Sequence, residues 1–172
     1  MGGGLVVGQV VRVRPAIPAD APAISTLAVA TGLLTGDEAS SMASSVKDGS
    51  GDEADWLIAV SPSGGVLGAA YFAPEEFSAG VWNLYFIAVD PEHQASGVGT
   101  VLLGAVESGL ASRSETPARA LVIETSSLDG FTATRAFYAR RGYANVGNVP
   151  DYYGPGDDKV IFWKALTDPH DH

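Results

Sequence analysis

The sequence of 172 residues contains no cysteine and few basic residues. Without cysteine, disulfide bonds, thiolate metal sites and a protein thiol that carries an acyl group are all excluded. Ten Lys and Arg stand against twenty Asp and Glu, so the formal net charge is -10. This charge disfavours nucleic acid and anionic membranes as partners and favours a cationic one, although acidic composition is also an ordinary route to solubility.

Long hydrophobic runs are also missing. The apolar runs are much shorter than a membrane span, and the N-terminal stretch MGGGLVVGQV has no basic residue before its apolar part. We therefore expect neither a membrane span nor a signal peptide, and we expect a cytoplasmic location. The length suits one domain. We place it at residues 10–166, with a flexible segment at residues 1–9 and a disordered tail at residues 167–172.

Apolar spacing predicts the order of the elements. Strands are predicted at residues 11–15, 56–60, 66–73, 81–89, 120–124 and 159–165. Helices are predicted after Asp20, which is placed to cap the first of them, and at residues 37–47, 97–112 and 131–141. Residues 151–159 are predicted to form an acidic, glycine-rich hairpin loop, and one further strand near the C-terminal end is left open. The fold class is α/β: a single domain with a mixed central sheet of about six or seven strands, flanked by about four helices.

The segment DPEHQASGVGT, residues 90–100, joins a buried strand to a helix. The first backbone N–H groups of a helix have no partner within it and carry the positive end of its dipole. Gly97 and Gly99 remove the side chains that would keep an anion away from these groups. The turn therefore predicts an anion site, with glycines that only relieve backbone strain as an equal alternative. A dinucleotide fingerprint is excluded, because Leu102 replaces its third glycine.

A second motif, TRAFYARRGY at residues 134–143, describes on its own an amphipathic helix that ends at a glycine cap. Its position after the glycine turn gives it a further meaning, because the two motifs follow one another in a set order. A strand ending in IAVDPEHQ, then Gln94-x-x-Gly97-x-Gly99, a helix, a strand and a helix with AFYARRGY together resemble the GNAT N-acetyltransferase superfamily. The resemblance covers nearly the whole chain, and its two motifs agree in order, spacing and context.

The resemblance implies an acetyl-CoA-dependent acyltransferase with no metal. It assigns the coenzyme's pyrophosphate to backbone N–H groups of the glycine turn, the pantetheine arm to the end of the preceding strand, and a place near the thioester sulfur to Tyr138. Arg135 belongs to a cluster with Arg140 and Arg141 that could assist phosphate binding or form a solvated helix face. The implied coenzyme-binding residues are Ile87, Ala88, Val89, Gln94, Ala95, Ser96, Gly97, Val98, Gly99, Thr100, Arg135 and Tyr138.

Three positions depart from the family pattern. Phe131 stands where family members often have Asn, and Thr134 stands where alanine is common, so these two positions do not match the family's contact between this helix and the pantetheine. Asn83 occupies the position of the catalytic Glu of histone-type members, and an amide cannot act as a base. A coenzyme-binding module without turnover is therefore the alternative function. Family members are often dimers, which makes a homodimer possible.

Acetylation of an amine requires a proton acceptor. A substrate ammonium has a pKa of about 10.4, so presenting the neutral amine at pH 7 costs about 4 to 5 kcal/mol. Glu124, at the end of a strand expected beside the glycine-turn strand, is the first candidate base, with a loop-capping role or a water-mediated base as alternatives. Tyr138 is the predicted general acid for the departing thiolate.

Without cysteine, the acetyl group is expected to pass directly from acetyl-CoA to the primary amine of a small molecule or peptide in a ternary complex. The acceptor is expected to be cationic. The predicted acceptor-binding residues are Asn83, Tyr85, Tyr152, Tyr153, Asp157 and Asp158. The two aspartates are also candidate bases, and an acidic, glycine-rich hairpin loop with no part in binding is the plainer alternative for their segment.

Overall fold

The computed structural model describes residues 10–46, 55–113 and 115–167. The segment at residues 1–9, the tail at residues 168–172 and the end of the second predicted helix at residue 47 lie outside the described residues. The predicted domain boundaries stay a prediction.

The described chain forms the predicted succession of strands and helices. The strands are β1 (Arg12–Pro15), β2 (Asp55–Val60), β3 (Val66–Pro74), β4 (Val81–Val89), β5 (Ala120–Ser126), β6 (Ala144–Gly154) and β7 (Asp157–Ala165). The helices are α1 (Ala21–Ala30), α2 (Gly36–Ala43), α3 (Val98–Ala111) and α4 (Thr132–Arg140). The strand that the sequence left open is β6.

The predicted loop at residues 151–159 is wrong in its extent. β6 runs to Gly154 and β7 begins at Asp157, so only a tight turn separates them. Gly156 makes this turn possible, because it adopts a φ of 78°, which favours glycine. Pairing with β7 draws the rest of the segment into the sheet.

The sheet has seven strands in the order β1-β2-β3-β4-β5-β7-β6. β1 pairs with β2, β5 with β7 and β6 with β7 in antiparallel fashion, whereas β4 and β5 are parallel. The β4–β5 register runs from Val81 opposite Ala120 to Leu84 opposite Ile123. The predicted mixed sheet, single α/β domain and four flanking helices are confirmed.

Within this domain, one compact unit comprises the described residues up to Ala70 together with Phe86–Ala105. Here α3 begins close to the sheet, and Gly68 on β3 permits the approach. A Cβ at Gly68 would lie 3.0 Å from the Ala88 carbonyl oxygen and 3.3 Å from Val98 Cγ1. The absent side chain therefore fixes where the first turn of α3 lies relative to the end of β4.

A second compact unit comprises Tyr71–Tyr85 and the described residues from Val106 onward. Alternation along β5 buries Leu121 and Ile123 on one face and places Val122 and Glu124 on the other. The register carries this alternation to β4, so Asn83, opposite Val122, shares a face with Glu124. This face of the second unit carries two of the predicted site residues, Asn83 and Glu124.

We predict that Asp20 stabilises the first unit in a pH-dependent way. Asp20 lies at the predicted N-cap of α1, but its carboxylate accepts no hydrogen bond from the amides of that helix. It accepts instead from the Arg14 guanidinium, at 2.8 and 3.0 Å, and from the Ile17 amide. The Arg14 hydrogen bond is the main reason that the pKa of Asp20 is lowered. Asp20→Asn should reduce the free energy of unfolding at pH 7 by about 1 to 2 kcal/mol.

A lowered folded-state pKa stabilises the fold above the unfolded-state pKa of about 3.9, and this contribution disappears as the pH falls through the folded-state value. Urea unfolding of the parent and of Asp20→Asn at pH 7 and at pH 3 measures the effect. The difference between the two proteins should shrink at pH 3. A difference that is equal at both pH values would contradict the role of the charge.

Candidate functional site

The turn between β4 and α3 is held by its own polar groups. Asp90 Oδ1 accepts the Glu92 amide at 2.9 Å, and the Asp90 carbonyl accepts the His93 amide at 2.8 Å. The Ser96 hydroxyl donates to the His93 carbonyl, and Gln94 Nε2 donates to the Val89 carbonyl at 3.3 Å. These bonds tie the turn to the end of β4 without using its later backbone amides.

Seven consecutive backbone N–H groups, at residues 94–100, donate no hydrogen bond to any part of the chain that the structure describes. We call them the amide cradle. Ala95 and Gly97 have φ values of 60° and 91°, and α3 begins at Val98. Helix N-terminal amides joined to a left-handed turn form a concave array of donors, which suits an anion. The predicted anion-binding residues of the turn are therefore seven consecutive backbone donors without a partner in the described chain.

The predicted pantetheine-binding residues occupy the last positions of β4. Ala88 is buried, whereas Ile87 and Val89 are half-buried. They lie directly before the turn, and the Asp90 amide that follows them donates to the Leu67 carbonyl at 2.8 Å. Residues 90–93 thus join this strand end to the amide cradle.

In the second unit, Asn83 is 2% exposed and its Nδ2 donates to Glu75 Oε1 at 3.0 Å. Its Oδ1 is enclosed without a hydrogen-bond partner in the described chain. Tyr85, two residues further along β4, is 54% exposed. Its partial burial, and then the negative charges of Glu75 and Glu124, raise its pKa. The negative charges of Glu75 and Glu124 thus disfavour the charged form of the Tyr85 hydroxyl.

Glu124 forms an ion pair with Lys159, whose Nζ lies 2.9 Å from Glu124 Oε2. The Lys159 Nζ also lies 3.5 Å from the ring centroid of Tyr152. Burial disfavours the charged form of Lys159, but hydrogen bonds with Glu124 and Tyr152 outweigh burial and raise its pKa. Lys159 is therefore a cation at neutral pH beside the predicted base. Glu124 and Tyr152, two of the predicted site residues, both contact its ammonium group.

The two predicted aspartates hold the β6–β7 hairpin. Asp158 accepts the Asp151 amide at 2.9 Å and Asn148 Nδ2 at 2.8 Å, and these bonds, that of Asn148 first, lower its pKa. Asp157 accepts a hydrogen bond from the Ser126 hydroxyl. Both carboxylates thus have hydrogen-bond partners within the hairpin and on β5.

Tyr153 is about half exposed and makes an edge contact with Tyr152, with 5.1 Å between ring centroids. Tyr152 thus contacts Lys159 through its ring face and Tyr153 through an edge contact. Together with Tyr85, these two tyrosines are the members of the predicted acceptor-binding set that are about half exposed.

Tyr138 on α4 is 3% exposed, and its ring lies 5.6 Å from that of Phe162. Burial raises its pKa, so the phenol remains protonated at neutral pH and keeps a proton to donate. Arg135 on the same helix donates to the carbonyls of Ser126 and Leu128, at 2.6 and 3.0 Å. Its guanidinium thus fixes the loop between β5 and α4.

The sequence analysis missed Glu75 and Lys159. The available signal for Lys159 was alternation along the closing strand, which places it opposite Ser126 and on the face of Glu124. Glu75 has no comparable signal, because its contact with Asn83 depends on the β3–β4 hairpin.

Among the described residues, no group of three or more His, Asp or Glu side chains is arranged to hold a metal ion. None of the helices in the described chain has the length and apolar character needed to cross a membrane.

Comparison with known proteins gives the family and the fold. The acetyltransferase (GNAT) domain model matches residues 52–145. A GNAT-family protein from Desulfovibrio desulfuricans is similar with a TM-score of 0.80 and 29% identity, covering 91% of this chain and 99% of that one. No curated protein sequence matches the chain.

Two more distant structures share the fold. The ribosomal-protein-S18-alanine N-acetyltransferase from Escherichia coli has a TM-score of 0.74 at 18% identity, covering 94% of this chain and 97% of that one. An aminoglycoside 6'-N-acetyltransferase, complexed with coenzyme A, has a TM-score of 0.76 at 19% identity, with 93% and 99% covered. The match of the family model confirms the predicted resemblance and the predicted enzyme class. Since this model spans more than half of the chain, the protein belongs to the GNAT acetyltransferase family.

Proposed function

We propose that this protein transfers an acetyl group from acetyl-CoA directly to a primary amine of a small molecule or peptide, in a ternary complex. The observation that carries the proposal is the amide cradle, a row of seven unpartnered backbone donors at the start of α3 in a GNAT-family chain. A structure that shares the fold was determined in complex with coenzyme A. The absence of cysteine supports direct transfer, because no protein thiol can carry the acetyl group.

The coenzyme's pyrophosphate would bind the amide cradle, and its pantetheine arm would lie along the backbone of Ile87, Ala88 and Val89. Backbone donors matter here because the chain carries a net charge of -10 and few cations. The contacts of Arg135 with the Ser126 and Leu128 carbonyls favour a structural part in its own loop over direct phosphate binding.

In the proposed reaction, Glu124 removes one proton from the acceptor's ammonium group. The neutral amine attacks the thioester carbonyl carbon, the new C–N bond forms, and the C–S bond breaks with its electron pair left on sulfur. Tyr138 donates a proton to this thiolate and regains one from the acetylated nitrogen. The proton held by Glu124 leaves to solvent, so the products are the amide, free CoA and one proton.

Tyr138→Phe is expected to lower kcat at least tenfold while acetyl-CoA affinity is nearly kept, because only the proton donor is removed. Tyr143→Phe is the matched control, since Tyr143 is equally buried and its hydroxyl donates a hydrogen bond to Glu107 Oε1 at 2.7 Å. This control should lose stability and retain kcat. Steady-state kinetics and acetyl-CoA titration make the comparison, and an unchanged kcat in Tyr138→Phe would refute the role.

Release of free CoA, followed with a thiol reagent, tests the proposed function, since a protein without cysteine gives no background. The acceptors are polyamines, aminoglycosides, amino acids, arylamines and peptide N-termini. Acceptor-dependent release establishes the enzyme and its substrate class. Binding of acetyl-CoA without release for any acceptor favours the coenzyme-binding module, which Asn83 at the expected position of a catalytic Glu would explain. The cytoplasmic location, the cationic acceptor and the homodimer stay predictions.

A further inference from the structure

The contact between Glu75 and Asn83 has the features of a binding group. Asn83 is buried, and its amide offers a hydrogen to Glu75 Oε1 and leaves Oδ1 without a partner. An enclosed oxygen without a donor is costly, because it has lost water and gained nothing in return. Oδ1 and Nδ2 belong to one amide group, and Nδ2 lies 3.0 Å from Glu75 Oε1, so the unpartnered oxygen and the carboxylate belong to one polar cluster. Both groups are acceptors, so a donor-rich ligand would satisfy them.

The charges of the same face point to a cation. The Lys159 Nζ lies 2.9 Å from Glu124 Oε2, so the negative charge of Glu124 is already balanced. Glu75 makes no ion pair with any residue in the described ranges, and its carboxylate accepts only from the neutral Asn83. Glu75 is therefore a carboxylate on this face whose negative charge no cation in the described residues balances.

We infer that Glu75, held in place by Asn83, binds the ammonium group of the acceptor and selects amines that are charged at neutral pH. The inference rests on the proposed function and adds the acceptor class: an aliphatic primary ammonium, which carries three hydrogen-bond donors. A carboxylate oxygen of Glu75 and Oδ1 of Asn83 would each accept one of them. Glu75 acts in binding, before Glu124 takes the proton. Asn83 has two parts in this site, because it orients the carboxylate and also accepts a hydrogen bond itself.

This role predicts a separation of KM from kcat. Glu75→Gln keeps the shape of the side chain and removes its charge, so the KM for an alkylammonium acceptor should rise about 10- to 100-fold at pH 7. The kcat at saturating acceptor should change less than about threefold, because the substitution weakens the binding of the ground state and of the transition state equally. Glu76→Gln is the matched control: Glu76 is the exposed neighbour in the same hairpin, and both constants should stay unchanged.

A double-mutant cycle tests the part of Asn83. Asn83→Ala should raise the acceptor KM in the parent and raise it less in the Glu75→Gln background. The orienting effect on the carboxylate is already lost there, and only the direct hydrogen bond to Oδ1 remains to be removed. Acetyl-CoA titration of each variant shows whether the domain remains folded. Full additivity of the two KM effects would overturn the positioning role.

The outcomes separate this inference from the proposed function. A parent protein that binds acetyl-CoA and acetylates no amine overturns both. A parent that turns over, with the acceptor KM of Glu75→Gln unchanged, overturns the inference alone. A fall in kcat with KM kept also overturns it, because Glu75 would then act in the chemical step rather than in binding.

Discussion

Glu124→Gln is expected to lower kcat at pH 7 by about 1,000-fold, within the range that general acid–base groups supply. The reaction needs a neutral amine, and an unassisted ammonium with a pKa of about 10.4 is almost entirely protonated at pH 7. Without the carboxylate, turnover depends on the small fraction of free amine. The rate of Glu124→Gln should therefore rise about tenfold per pH unit until the acceptor itself titrates. Initial rates of CoA release between pH 6 and pH 9 measure both effects.

Lys159→Met separates the base from its ion pair. It removes the cation 2.9 Å from Glu124 and leaves the carboxylate in place. We expect kcat to fall less than about tenfold and the pH profile to keep the shape of the parent's, because the proton acceptor remains. Equal losses in Glu124→Gln and Lys159→Met would show that the ion pair, rather than the base, is what the reaction needs.

Gly97→Val is expected to weaken acetyl-CoA binding at least 100-fold. Gly97 has a φ of 91°, which is a strained conformation for a β-branched residue, so the turn should shift to relieve it. A shifted turn no longer directs its amides at one phosphate group. Loss of two charge-assisted hydrogen bonds, at about 1.5 kcal/mol each, gives a factor on the order of 100 in Kd.

Gly104→Val is the matched control for this substitution. Gly104 lies within α3, has no positive φ, and an added Cβ there would meet open space. Valine is a better helix former than glycine, so stability should hold or rise slightly while the Kd of acetyl-CoA stays unchanged. Calorimetric titration of both variants makes the comparison. A Kd for Gly97→Val within threefold of the parent's would mean that the amide cradle does not hold the coenzyme.

Local signals were sufficient for the part of the fold that carries the glycine turn. The apolar run of β4, the glycines at 97 and 99 and the apolar spacing of α3 are adjacent in sequence, and each specifies backbone conformation directly. The chain order of strands and helices followed from the same kind of evidence. The predicted residues 94–100 accordingly form a continuous row of donors in the structure.

The contacts of the acceptor face could not be predicted in the same way. Lys159 meets Glu124 because β7 pairs with β5 in one particular register, and Glu75 meets Asn83 across a hairpin. A shift of one residue in either pairing would turn these side chains to the other face. Composition and motif spacing do not contain that register.

β6 shows how pairing can override local signals. Its sequence, ANVGNVPDYYG, contains glycines and Pro150, which are typical of loops. The strand forms because β7 supplies a partner, and two irregularities in the register, between Asn145 and Gly147 and between Val149 and Gly154, accommodate the residues that fit a regular ladder poorly.

The same irregularities affect how this protein meets other molecules. β6 and β1 are the two outer strands of the sheet. An outer strand with a long regular row of free N–H and C=O groups can recruit a strand from another chain and start aggregation. β1 has only four residues and ends in Pro15, and β6 is twice interrupted. Neither strand is a good template, so copies of this protein that associate would do so through side-chain surfaces rather than by extending the sheet.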